Sequence, residues 1–167
     1  MRNLLVVSQS HLPDDVIDLL EQKHWGITYA EDLETACRLD AEQHFLVGLV
    51  ILNNASDPQI AAHLQQPVLS LPHIKWIAAL AEELIEMLDI KRFITDRLYD
   101  FQVFPIESAR LATVLGHAYG MAKIERELKH GDQQAAQDRQ SGFSGRFGLV
   151  GNSPVMLTLY RMIQRAA

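Results

Sequence analysis

Residues 45–58 read Phe-Leu-Val-Gly-Leu-Val-Ile-Leu-Asn-Asn-Ala-Ser-Asp-Pro, and no other stretch restricts the fold as much. The apolar run is short, rich in β-branched residues and closed by Asn and Asp-Pro, the pattern of a strand buried on both faces of a parallel sheet. Such a strand is central and needs helices on both sides. Ligands and chemistry in open α/β sheets gather just outside the carboxyl ends of the strands, and this end offers Asn53 and Asn54. Neither carboxamide accepts a phosphoryl group or holds a divalent cation as a carboxylate does.

The flanking sequence supplies the other layers. Leu4–Val7 predicts a first buried strand, ended by Ser8-Gln9-Ser10. A helix follows from about Leu12, with Pro13 in its first turn, Asp14 and Asp15 near its positive end and Val16, Leu19 and Leu20 facing inward. Trp25–Tyr29 predicts strand two, and Asp32 caps a helix whose inner residues are Leu33, Ala36, Cys37 and Leu39. After the central strand, Ser56 or Asp57 caps and Pro58 starts a third helix lined by Ile60, Ala61 and Leu64. Pro67–Pro72 is a connection and Ile74–Leu80 strand four. Glu82–Leu98 has a helical but uneven period, with Leu84, Ile85, Leu88, Phe93, Ile94 and Leu98 as candidates for burial. Phe101–Phe104 is strand five, closed by Pro105, and a long helix runs from about Glu107 to Lys129. The fold class is therefore α/β: a doubly wound, five-stranded parallel sheet with a long carboxyl-terminal helix.

That last helix, at about 1.5 Å per residue, is longer than covering one sheet requires. Its apolar positions Leu111, Val114, Leu115, Ala118, Met121, Ala122, Ile124 and Leu128 make a stripe wider than a coiled-coil seam, so one flank can face the sheet and the other a second chain, with Leu111, Leu115, Ala118, Met121, Ala122 and Leu128 as the expected dimer interface. Gly116 and Glu125 interrupt the stripe and favour a short contact.

Residues 130–142 carry no apolar side chain larger than Ala and read as a linker. Beyond it, Phe143–Ala167 holds a short amphipathic helix from Pro154 to Ala166, too little for a domain of its own. The sequence thus divides into a domain over residues 1–129, a linker over 130–142 and the opening of a further unit over 143–167, as if cut just inside it.

Charge and composition exclude several functions. A formal net charge of -6 gives no basic field for direct nucleic-acid binding. Cys37, the single cysteine, has no intramolecular disulfide partner, which fits a reducing compartment and a packing role. No secretory segment opens the chain and no apolar run approaches the roughly 20 residues of a membrane span, so the expected location is the cytoplasm. The seven histidines, His11, His24, His44, His63, His73, His117 and His130, contain no pair at i and i+3 or i+4, which argues against a metal site. Gly142, Gly145, Gly148 and Gly151 match neither dinucleotide nor P-loop spacing, so no nucleotide hydrolysis or other enzyme activity is expected.

Two segments carry a resemblance. Asp100-Phe101-Gln102-Val103-Phe104-Pro105 at strand five resembles the response-regulator receiver domain, whose last strand usually reads D-Y-x-x-K-P. Gly148-Leu149-Val150-Gly151-Asn152-Ser153-Pro154-Val155-Met156, with Tyr160, Ile163 and Ala166 behind it, resembles the start of the AAA+ module of sigma-54-dependent transcriptional activators. Together they imply a regulatory domain of a bacterial enhancer-binding protein, similar to the VpsR-like and flagellar-regulator groups with degenerate receivers. The implied partners are a second copy, an adjacent AAA+ domain and, through it, sigma-54 RNA polymerase. The implied ATP and Mg²⁺ belong to the AAA+ domain and not to residues 1–129.

Receiver chemistry needs an acidic pair after strand one and an Asp after strand three to hold Mg²⁺, with a hydroxyl after strand four and a Lys before the strand-five Pro. The resemblance places Ser8 and Gln9 at the acidic pair, Asn53 at the acceptor, Ala79 or Leu80 at the hydroxyl and Phe104 at the Lys. Phe104 is expected to fill the space of that Lys beside Asn53 and Ala79. The implied function is a dimerising pseudo-receiver that takes no phosphoryl group and controls assembly of the AAA+ ATPase. Two alternatives stand beside it. One is a cyclic di-GMP sensor of the same lineage, using a strand-end pocket or Arg139 and Arg146 beside Leu149, Val150 and Gly151, the residues that abut adenine in that family. The other is an unrelated flavodoxin-like cofactor-binding protein.

Overall fold

The computed structural model describes residues 1–54 and 59–141, those of 132–141 by backbone alone. Contacts divide the chain into two units, Met1–Ile124 and Glu125–Ala167. The first contains strands β1 (Arg2–Val7), β2 (Trp25–Ala30), β3 (Val47–Leu52), β4 (Lys75–Leu80) and β5 (Asp100–Val103). Between them lie helices α1 (Asp14–Gln22), α2 (Leu33–Gln43), α3 (Ile60–Ser70), α4 (Glu82–Ile85) and α5 (Leu88–Arg97). Helix α6 spans Ser108–Ser141 and crosses into the second unit, of which its carboxyl-terminal part is what is described.

All five strands run parallel in the order β2-β1-β3-β4-β5. β3 is central and every one of its residues is buried, as its apolar run predicts. Strand alternation sorts the core into two layers. Leu5, Val7, Val50, Leu52, Ala78 and Leu80 pack with Ala36, Leu64, Leu84 and Ile90 on the α2, α3 and α5 side. Leu4, Val6, Val47, Leu49, Ile51, Ile77 and Ala79 pack with Val16, Leu20, Leu111, Leu115 and Ala118 on the α1 and α6 side. Each fully buried Leu or Val contributes about 1.5–3 kcal/mol relative to exposure.

Local signals hold where a specific hydrogen bond enforces them. Asp32 Oδ1 accepts from the Thr35 N–H at 2.8 Å and starts α2. Pro13 stands one residue before α1 as its cap, with Asp14 and Asp15 in the first turn. His24 and His44 take φ of 62° and 53° in the turns after α1 and α2, a left-handed conformation that Gly adopts more cheaply.

Three expectations change. Helix α3 continues through Pro67 to Ser70 instead of breaking there; the ring is buried and the helix closes through Leu71 N–H to Pro67 O at 3.0 Å. The uneven stretch after β4 is two helices, because the chain turns extended at Met87, and Leu88 is exposed while Ile90 enters the core. Helix α6 does not end near Lys129 but reaches Ser141. Residues 130–141 are poor in apolar bulk yet rich in Ala, Gln and other sound helix formers, a composition that favours continuing the helix. Ser56, Asp57, Pro58 and the whole of Phe143–Ala167 lie outside the described residues. Among those described, no helix is long and apolar enough to cross a membrane.

Candidate functional site at the carboxyl edge of the sheet

Ser8 continues β1 by donating its N–H to Ala30 O at 3.0 Å. The chain then turns so that the Ser10 N–H donates to Ser8 Oγ at 2.9 Å, and the two hydroxyls lie 3.2 Å apart. From the end of β3, Asn53 Nδ2 donates to Ser10 Oγ at 3.4 Å. The ends of β1 and β3 are thus joined by hydroxyls and a carboxamide, a chain of dipoles without a formal charge. Ser10 had no functional weight in the sequence; the signal was the Ser-Gln-Ser triplet, whose hydroxyls bond locally and turn the chain.

The five positions marked by the receiver resemblance do not form one site. Ser8, Gln9 and Asn53 line a cavity on the α2 and α3 side. Ala79 is fully buried in the opposite layer, where Phe104 also packs, half-buried, whereas Leu80, the alternative to Ala79, is buried in the layer of Val7 and Leu52. The Phe104 N–H donates to Leu80 O at 3.0 Å and the Phe104–Pro105 peptide is cis. Phe104 therefore shares a layer with Ala79, as expected, but is not among the residues lining the cavity with Asn53. The separation follows from the period of two: Ala78 faces one layer and Ala79 the other.

The cavity measures about 220 Å³ and lies over the ends of β1 and β3, between the start of α2 and the body of α3. Val7, Val50, Leu52, Ile60 and Pro67 form its apolar part; Ser8, Gln9, Ser10, Asn53, Asn54 and Gln66 supply hydroxyls and carboxamides. Glu31, Asp32 and His63 complete the rim. The Thr35 backbone N–H, followed by the Thr35 side chain, holds the Asp32 carboxyl below its ordinary range, and Arg38 adds to this. Among the described residues no three His, Cys, Asp or Glu side chains gather as a metal site.

Two buried polar residues escaped the sequence reading. Asp40 accepts the Phe45 N–H at 3.0 Å and lies 3.0 Å from His73 Nε2, so a carboxylate on the inner face of α2 fastens that helix to the turn before β4. Gln102 is buried opposite Ala79, and neither its Oε1 nor its Nε2 has a hydrogen-bond partner. Asp40 lies in α2 and Gln102 in β5, and hydrophobic period alone gave no sign of either.

Helix α6 also departs from the expected interface. Leu111, Leu115, Ala118 and Ala122 are buried within the first unit, because they share the face that covers the sheet, and they are not presented to a second chain. Met121, Ile124 and Leu128 are 46%, 52% and 64% exposed. Arg146, Leu149, Val150 and Gly151 lie outside the described residues, and the side chain of Arg139 is not described.

Comparison with known proteins agrees with the geometry. The VpsR domain family matches residues 1–116. NtrX from Brucella abortus, solved in complex with ATP, superposes with a TM-score of 0.59 at 23% identity, over 98% of this chain and 34% of that one. The receiver domain of NtrC4 from Aquifex aeolicus gives 0.54 at 18% identity, over 72% of this chain and 98% of that one. A receiver domain protein from Clostridium thermocellum gives 0.56 at 15%, over 74% and 98%. At these identities the likeness is one of fold. The chain spans about a third of the length of NtrX. No curated protein sequence matches it.

Proposed function

The chain belongs to the VpsR domain family, a receiver-like amino-terminal module of sigma-54 activators, and on that premise we propose that it is a regulatory domain that takes no phosphoryl group and acts by pairing with a second copy. In this reading the pairing controls how the adjacent AAA+ ATPase domains associate, and through them the sigma-54 polymerase. The observation that carries it is the uncharged link Ser8–Ser10–Asn53 between the ends of β1 and β3. A divalent cation of the Mg²⁺ type requires a near-octahedral oxygen shell anchored by one or two carboxylates, and phosphoryl transfer needs a nucleophilic oxygen at the acceptor. Hydroxyls and a carboxamide supply no formal charge for the cation, and Asn53 at the acceptor position has no carboxylate oxygen to attack phosphorus.

The pairing rests on α6. Met121, Ile124 and Leu128 recur at intervals of three and four residues and are exposed, the spacing of a helix–helix seam. They lie on a different flank from Leu111, Leu115 and Ala118, so a partner can be engaged without dismantling the core.

The test is incubation with acetyl phosphate or beryllofluoride and Mg²⁺, read by intact mass and melting temperature. No added mass and no shift in melting is the expected result. A phosphoryl adduct on the intact protein, or a clear rise in melting temperature with beryllofluoride, would overturn the reading.

A further inference from the structure

We propose that the cavity over the ends of β1 and β3 is a binding site for a small uncharged polar molecule, one bearing an amide or hydroxyl group on a short apolar body. Its position is the first argument. In the order β2-β1-β3-β4-β5 the connections leave β1 and β3 in opposite directions, and the crevice at such a switch point is where open α/β sheets take their ligands. Here the crevice is not filled: about 220 Å³ remains between α2 and α3.

Size and lining set the chemical class. The volume equals roughly seven waters at about 30 Å³ each, and falls below the roughly 300–1,000 Å³ of sites for drug-sized ligands. The floor of Val50, Leu52 and Ile60 offers water nothing to bond and favours an apolar body. Above it, Ser10, Asn53 and Gln66 present hydrogen-bond donors and acceptors together, the complement of an amide or a hydroxyl. Glu31 and Asp32 stand at the rim and no Lys or Arg is among the described lining residues, so an anion meets repulsion there. Asp32 is already committed to the Thr35 N–H and does not call for an ammonium group.

The inference goes beyond the proposed function and is independent of it, since a pairing domain that takes no phosphoryl group can do so with this cavity empty or filled. The experiment uses the full chain, labelled with ¹⁵N, titrated with three isosteric probes: butyramide, butyrate and butylammonium. Butyramide is expected to shift the backbone amides of Ser8, Ser10, Leu33 and Asn54 saturably, with butyrate giving no saturable shift and butylammonium a weaker one. Two variants reduce the space: Ile60→Phe at the floor and Gln66→Trp from an exposed position on α3. Either variant, if folded by its own spectrum, should abolish the butyramide response. No saturable response to butyramide overturns the proposal, as does an equal or stronger response to butyrate or butylammonium. So does a response that survives in a folded Gln66→Trp chain.

Discussion

A Cβ on residue 48 would fall 2.4 Å from Cζ3 of Trp76, so the indole of β4 occupies the space that Gly48 of β3 leaves open. The two are register partners in adjacent strands, and the ring is pinned from its far side by Nε1 donating to Leu71 O at 3.0 Å. Gly48→Ala should therefore destabilise by about 1–3 kcal/mol, the usual cost of overpacking, as read from the shift in urea midpoint. Combining it with Trp76→Leu, which empties the space, should make the second loss smaller than the first; strict additivity would show that the two side chains do not compete.

Restoring a carboxylate at the end of β3 should not restore phosphorylation. Asn53→Asp supplies a nucleophile, but Ser8 and Gln9 still supply no anionic oxygen for a cation and Phe104 no ammonium for the phosphoryl group. Intact mass after acetyl phosphate and Mg²⁺ should be unchanged for this variant. An adduct on Asn53→Asp would mean that hydroxyls and carboxamides alone can hold the metal.

Phe104 is half-buried rather than enclosed, and its truncation should cost less than the roughly 3–5 kcal/mol of a core Phe. Phe104→Ala is expected to lower stability by about 2 kcal/mol, in proportion to the apolar area removed. A loss near zero in denaturant titration would place the ring outside the α1 and α6 layer.

The two flanks of α6 should respond in opposite ways. Met121→Glu places a charge on an exposed position and should leave the fold intact while dissociating the proposed dimer across a concentration series in light scattering. Leu115→Glu buries an unpaired carboxylate at a fully enclosed position and should unfold the domain. A chain that is monomeric at every concentration removes the pairing.

Asp32 couples stability to pH in one direction. Its folded-state pKa is depressed, so the cap on α2 stabilises above the ordinary carboxylate range and the contribution is lost as pH falls through the folded value. The stability gap between the native chain and Asp32→Ala should be open near neutral pH and should close in acid. A gap that persists at about pH 2 would assign the effect to something other than the carboxylate's hydrogen bonds.

Much of the fold was legible because its signals are local and repeated. The β3 run, the alternation of strands with helices, and the Asp32 cap each follow from a few neighbouring residues. The candidate site was legible by position only: Ser8, Gln9 and Asn53 lie where β1 and β3 end, but the side of the sheet on which each side chain falls depends on strand phase. That phase put Ala79 and Phe104 in the other layer. Asp40 and Gln102 were hidden for a different reason, since a buried polar group is revealed only by what surrounds it. On α6 the reverse held: the apolar positions were read correctly as too many for one face, yet which of them the sheet would take depended on how the helix is rotated about its axis.

The all-parallel sheet also has a consequence for how the chain is made. Among the described residues no strand meets its neighbour through a hairpin; each pairing spans at least one helix, so loop entropy is lost before any sheet contact is gained. On a ribosome, β1 and β2 can join early, but the other edge of β1 waits for β3, and β3 in turn waits for β4. Through that interval Leu4–Val7 presents an apolar strand with an open edge, the form most prone to join a neighbouring nascent chain. Yield of the chain should therefore depend on spacing between ribosomes and on access of chaperones to its first eighty residues, more than on the stability of the finished domain.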